Sequence, residues 1–246
     1  MTKIQAIFFD IGDTLVFDNP PLPERLASAA RAAGLTLDAA RLPEAFRKAE
    51  AFAVQRYVAG IAWDAPGALR ETVAYLLAAL PHPPLTDPQL TDPQLTDPQW
   101  KALAAAFAAA PFTRYVHPEA PALLGELGRR GFVLGAISDW EDTLPDVLTA
   151  LDLLPYFHAL SISACVGVTK PNPLLFEDAL AQLYLPPNAC LHVGDWFELD
   201  IAGARAAGMR PLLFDWTGRR PAADCPRVTT WLELADYLLG LPAPGR

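Results

Sequence analysis

The pattern of hydrophobic and polar positions changes rhythm along the chain. Residues 4–9, IQAIFF, form a nearly continuous apolar run that ends at Asp10 and a turn at Gly12. Such a run predicts a short strand buried on both faces. From about residue 23 to 110 the spacing becomes helical, in Ala-, Leu- and Arg-rich segments such as PERLASAARAAG and PGALRETVAYLLAAL. Pro stands near their starts and Gly34 and Gly60 near ends, so this block is read as all-helical. After His117 helix and strand alternate. Strands are expected at 132–138, 159–164, 189–193 and 210–215, with helices at 118–131, 141–151, 173–184, 200–208 and 231–239.

Alternation of this kind predicts an α/β fold, a Rossmann-like doubly wound parallel sheet with right-handed crossovers. The first strand belongs to that sheet although its partners come more than a hundred residues later. The helical block is then an insertion. The expected domains are an α/β core of residues 1–17 and 114–246 and an all-helical cap of residues 18–113, acting as a lid. Within that block lies a tandem repeat, LTDPQ-LTDPQ-LTDPQ at 85–99. Three copies are too few for a solenoid. The repeat is read as a surface connector whose last copy opens the helix PQWKALAAAFAAA.

Composition narrows the function classes. The 246 residues are 52% hydrophobic and carry a net charge of −9, which suits a folded core and argues against nucleic-acid or anionic-membrane partners. No apolar run approaches a bilayer span and no signal peptide is evident, so a cytoplasmic location is expected. The 3 cysteines, Cys165, Cys190 and Cys225, show no metal spacing. Lysine is scarce, at Lys3, Lys48, Lys101 and Lys170 only.

In doubly wound sheets, ligands bind beyond the carboxyl ends of the strands. Those ends carry Asp10, Gly12, Asp13 and Thr14; Ser138 and Asp139; and Asp195 with Asp200, while Lys170 lies in the loop VGVTKPNP. Carboxylates converging in a partly buried crevice repel one another unless a cation joins them, and all-oxygen ligation suits Mg²⁺. Ser138 and Lys170 are placed to hold an anion such as phosphate.

Four segments, FFDIGDTL (8–15), ISDW (137–140), TKPNP (169–173) and HVGDWFELDIAGARAAGM (192–209), resemble in order the motifs of the haloacid dehalogenase superfamily, in the subgroup with a helical cap inserted after the first motif. The resemblance covers the core domain, and its last segment is the most specific. It implies a hydrolase of small phosphate esters in which Asp10 attacks phosphorus and forms an aspartyl-phosphate. Thr14, Ser138 and Asp139 would bind substrate, and Lys170 would neutralise nucleophile and phosphate. Mg²⁺ would be held by Asp10, Asp195 and the carbonyl of Gly12, with Asp200 orienting Lys170 or metal-bound waters. The partner would be a small phosphorylated metabolite; substrate and oligomeric state stay open.

The chain departs from the family in one place. Phosphatases of the superfamily carry a second Asp in the first motif, as leaving-group acid and water activator, where this chain has Gly12. Slow turnover is expected, since such help is worth roughly 10²–10⁴-fold. Asp13, one residue later, is read as a loop residue. The departure keeps two alternatives in view: a phospho-ligand sensor with a degenerate site, and a C–halogen or C–P hydrolase. Lys48 and Lys101 read as solvated positions, Trp140 and Trp196 as packing residues or pocket walls, and Tyr57 and Trp63 as possible contacts of the lid. His192 reads as a satisfied core histidine.

Overall fold

A computed structural model describes residues 2–35, 97–218, 220 and 223–244. The chain divides into two compact units, Met1–Phe17 with Tyr115–Arg246, and Asp18–Arg114. In the first unit a six-stranded sheet runs in the order β5-β4-β1-β6-β7-β8. Its strands are β1 (Ala6–Phe9), β4 (Val133–Ser138), β5 (Ala159–Ile162), β6 (Cys190–Gly194), β7 (Arg210–Phe214) and β8 (Arg227–Val228). Every neighbouring pair is parallel.

Side-chain alternation along β1 explains why its run is apolar throughout. Ile7 and Phe9 face one core, against Leu124 of α3 (Ala120–Arg129) and Leu234 of α8 (Trp231–Leu239). Ala6 and Phe8 face the other, against Leu175 and Phe176 of α6 (Pro173–Leu183). Gly135 of β4 is required there, because a Cβ would stand 2.5 Å from the Phe8 ring.

The chain adds β4 and β5 on one side of β1, then returns to lay β6, β7 and β8 on the other. This reversal opens a crevice at the carboxyl ends of β4, β1 and β6. Into it run the loop after β1, the loop after β4 and the turn after β6.

The structure differs from the sequence expectation in several details. The helix expected at 141–151 is α4 (Leu144–Ala150), the strand expected at 159–164 ends at Ile162, and Ser163–Val166 form the single helical turn α5. The helix expected at 200–208 begins as a π-turn, Phe197–Ile201, before α7 (Ala202–Ala206). A two-stranded ribbon of β2 (Val16–Asn19) and β3 (Thr113–Val116), and the short β8, were not signalled by periodicity.

Most of the helical block, residues 36–96, lies outside the described residues, as do Lys48, Tyr57, Trp63 and most of the LTDPQ repeat. Its described parts are α1 (Leu22–Ala32) and α2 (Asp97–Ala109), whose first residues are Asp97 and Pro98 of the last repeat copy. Lys101 on α2 is exposed. Asp18 accepts from Arg25 at 3.0 Å and from Arg114 at 3.3 Å, and the Arg25 guanidinium stacks 3.6 Å from the Phe112 ring centre. No helix among the described residues is long and apolar enough to cross a membrane.

Candidate active site

Strand β1 delivers Asp10 to the crevice, and the Asp10 N–H donates to the Val193 carbonyl at 2.8 Å, continuing the β1–β6 ladder. The next residues turn back sharply. Leu15 and Val16 both donate to the Ile11 carbonyl, Asp13 N–H donates to Val16 O, and Asp13 takes a left-handed φ of 56°. The turn buries Thr14 completely and brings its Oγ1 to donate to Asp10 Oδ2 at 3.3 Å. Gly12 has an ordinary φ, and a Cβ there would stand 3.7 Å from the Trp140 ring, a normal van der Waals contact.

Lys170 reaches the same carboxylate from the loop before α6. Its Nζ donates to Asp10 Oδ1 at 2.6 Å and to Asp200 Oδ1 at 2.8 Å. Its backbone N–H donates to Asp139 Oδ1 at 3.0 Å, tying this loop to the end of β4. The Lys170–Pro171 peptide is cis. Lys170 is only 4% exposed. Burial alone would lower its pKa, but Asp10, Asp200 and Asp139 together hold it well above the ordinary lysine range. It is therefore an ammonium at any working pH.

The acids diverge in character. Burial pushes the Asp10 carboxyl above its usual range, against the pull of Lys170 and with the push of Asp200. Burial, Asp10, Asp200 and Asp13 together push Asp195 well up. Asp139 is raised to about 6, mainly by burial and against the charge of Lys170. For Asp200 burial also pushes upward, but Lys170 and His192 outweigh it and bring its pKa down to about 2.

Oxygens of Asp10, Asp195 and Asp200 lie within 4.8 Å of one another, all buried. Both Asp200 oxygens are already engaged, Oδ1 by Lys170 and His192 and Oδ2 by the Trp196 N–H at 3.0 Å. Asp195 Oδ1, by contrast, is buried with no partner among the described residues. A buried carboxylate oxygen left bare is costly. Three carboxylates against one ammonium also leave an excess of negative charge. A hard divalent cation held by Asp10 and Asp195 would satisfy both requirements.

Gly194 makes the close approach of Asp200 possible, since a Cβ there would stand 2.2 Å from the Asp200 Cγ. Gly194→Ala is therefore expected to cost about 1–3 kcal/mol and to displace Asp200 from Lys170. Thermal unfolding and hydrolytic rate should fall together; an unchanged melting temperature would contradict this packing.

Ser138 is buried at the end of β4. Trp140 is half-buried, and its N–H donates to Ser163 Oγ at 3.0 Å while the Ser163 hydroxyl donates back to its carbonyl at 3.1 Å. Trp140 thus stands beside Gly12, held by a serine that no motif singled out. Asp13 is exposed, near enough for its charge to act on Asp195. His192 requires a correction. It is fully buried, but only Nε2 is satisfied, 3.0 Å from Asp200 Oδ1, and Nδ1 has no partner among the described residues. The available signal was position: His192 stands two residues before Gly194 on the same face of β6.

A doubly wound parallel sheet with an ammonium and clustered carboxylates at its switch point defines the class of this protein. Residues 4–208 match the family of haloacid dehalogenase-like hydrolases. The haloacid dehalogenase-like hydrolase domain-containing protein 3 of Homo sapiens is 31% identical over 223 residues, covering 86% of this chain and 82% of its own. The glyceraldehyde 3-phosphate phosphatase of Pyrococcus furiosus is 28% identical over 249 residues, covering 97% and 90%. The HAD hydrolase YfnB of Bacillus subtilis, solved with magnesium bound, shares the fold with a TM-score of 0.66 at 16% identity, covering 97% of this chain and 100% of its own. The chain belongs to the haloacid dehalogenase-like hydrolase family.

Proposed function

We propose that the protein hydrolyses small phosphate esters with Mg²⁺, through an aspartyl-phosphate on Asp10. The carrying observation is the setting of Asp10: the Lys170 ammonium donates to its Oδ1, and within 4.8 Å lies an oxygen of Asp195, whose buried Oδ1 has no partner among the described residues. A phosphatase relative that spans nearly the whole chain supports an ester of phosphoric acid as the substrate class.

Asp10, Asp195 and the Gly12 carbonyl would hold the cation, which would supply charge neutralisation for the phosphoryl oxygens. Lys170 keeps Asp10 ionised beside an anion, and Thr14, Ser138 and Asp139 orient the phosphoryl group. A carboxylate oxygen of Asp10 attacks phosphorus as the ester P–O bond breaks. Water then attacks phosphorus and releases phosphate, restoring the carboxylate. Gly12 supplies no proton to the leaving oxygen, so solvent does, and turnover is slow. The second unit, Asp18–Arg114, is proposed as a cap domain.

The test is a phosphate-release screen over sugar phosphates, nucleotides and small organic phosphates, with and without Mg²⁺. Release that needs Mg²⁺ supports the proposal, full release in chelator overturns the role given to the cation, and halide release from a haloacid in chelator would select C–halogen chemistry. Gly12 favours a second reading, a sensor that binds a phosphometabolite tightly without turnover; saturable binding with no release across the panel would select it.

Cation binding has a separate readout. Native Asp10 and Asp195 hold protons more tightly than the unfolded chain does. Without a cation, stability is therefore lost as pH rises through their native pKa values. Mg²⁺ at about 100 times its Kd should add about 2.7 kcal/mol, and at a fixed Mg²⁺ concentration the increment should grow with pH. Asp195→Asn should abolish this thermal shift. A shift that survives the substitution would place the cation elsewhere.

A further inference from the structure

The sequence pattern assigns His192 to packing, but its surroundings are not those of a packing residue. It sits on β6, in register with Phe8 of β1 and Pro211 of β7, and is fully buried. The imidazole leaves Nδ1 without a partner among the described residues, which an apolar side chain filling this place would not. Stability alone does not account for a histidine here.

The ring is held in a fixed pose. Phe176 of α6 meets it edge to face, with ring centres 5.2 Å apart at 85°. Phe176 is in turn pressed so closely onto Gly203 that a Cβ there would lie 2.3 Å from its ring. In this pose Nε2 lies 3.0 Å from Asp200 Oδ1, the oxygen that also receives the Lys170 ammonium at 2.8 Å. The other Asp200 oxygen accepts from the Trp196 N–H. A carboxylate can only accept, so the proton shared with Asp200 belongs to Nε2. The contacts run Phe176, His192, Asp200, Lys170, Asp10.

We infer that His192 is a positioning residue for hydrolysis: by donating from Nε2 to Asp200 Oδ1 it fixes the carboxylate that holds the Lys170 ammonium against Asp10. The inference deepens the phosphatase reading and rests on it for its kinetic consequence. Asp200 has two acceptor oxygens and could swing about its Cβ–Cγ bond. With both oxygens tied it cannot, and Lys170 keeps one position relative to the attacking oxygen. Groups that orient a site's charged residues from behind typically change activity about 10–100-fold when removed.

The test compares His192→Leu, His192→Gln and His192→Asn with the intact protein, on para-nitrophenyl phosphate with Mg²⁺. A glutamine amide nitrogen reaches the place of Nε2, whereas an asparagine amide reaches only that of Nδ1. His192→Leu should lower kcat about tenfold with KM held within about twofold. His192→Gln should restore most of the rate, and His192→Asn should stay slow. If His192→Leu does not fold, the Gln and Asn variants carry the comparison. Equal rates for Gln and Asn, or an unchanged kcat in either Leu or Asn, overturn the assignment. A ¹⁵N imidazole spectrum gives an independent readout: a solvent-protected proton on Nε2, whose resonance moves in Asp200→Asn. A proton found on Nδ1 alone overturns it. Asp10→Asn run alongside separates the two ideas, because full activity in that variant removes the hydrolase mechanism and leaves His192 to be judged on the spectrum.

Discussion

Asp10→Asn is expected to lose phosphate release by at least about 10³-fold while staying folded. The amide keeps the shape of the carboxylate but cannot attack phosphorus. It also cannot hold the Lys170 ammonium by charge, although Asp200 still accepts from it at 2.8 Å. The stability consequence has a definite sign. Burial raises the pKa of Asp10 above its unfolded value, so the native protein pays for the ionised form at neutral pH. Neutralising the position removes that penalty, and without divalent cation the variant should melt at or above the temperature of the intact protein. Lost activity with retained or increased melting temperature is therefore the expected pair. Retained phosphate release would remove the aspartyl-phosphate mechanism, and loss of the fold would show that Asp10 holds the structure through Lys170.

Gly12→Asp is the opposite experiment, and it should raise turnover. General acid–base help is worth roughly 10²–10⁴-fold, and a gain toward the lower end, about 10²-fold, is expected for an acid placed without further adjustment. Two features of the loop make the substitution admissible. Gly12 does not occupy the left-handed region, and among the described residues a Cβ there meets only the Trp140 ring, at 3.7 Å. The adjacent Asp13 does occupy that region, at φ 56°, so the two positions offer different directions to a carboxyl group. The gain should be largest for substrates with a poorly stabilised leaving alkoxide and small for aryl phosphates. A folded Gly12→Asp protein with no gain on alkyl phosphates would show that another group already supplies the proton.

The sequence contains much of this site in readable form. β1, β4 and β6 are short apolar runs because they are buried on both faces, and each run stops where an acid or hydroxyl begins: Asp10, Ser138, Asp195. Helix 231–239 coincides with its expected bounds, and Thr230 caps it by accepting from the Glu233 N–H. The ribbon of β2 and β3 is different. Thr113 meets Asn19 across 94 residues, and β3 is largely exposed. Four-residue strands with one open face leave no distinctive periodicity. The π-turn at Phe197–Ile201 was equally hidden, because the same residues satisfy a helical pattern; its effect is to set Asp200 under the Trp196 N–H.

What the sequence determined by itself is which segments enter the sheet and which side chains stand at their carboxyl ends. Periodicity records whether a face is buried, and that is a local property of a few residues. Which of those side chains meet was decided by the tertiary structure. Lys170 reaches Asp10 over 160 residues and Asp200 over 30, because the strand order puts β1 between β4 and β6. The same order turns His192 from an apparent core residue into a partner of Asp200 and stands Trp140 beside Gly12. A contact between distant residues depends on sheet order and loop closure, and neither is written in the spacing of hydrophobic positions.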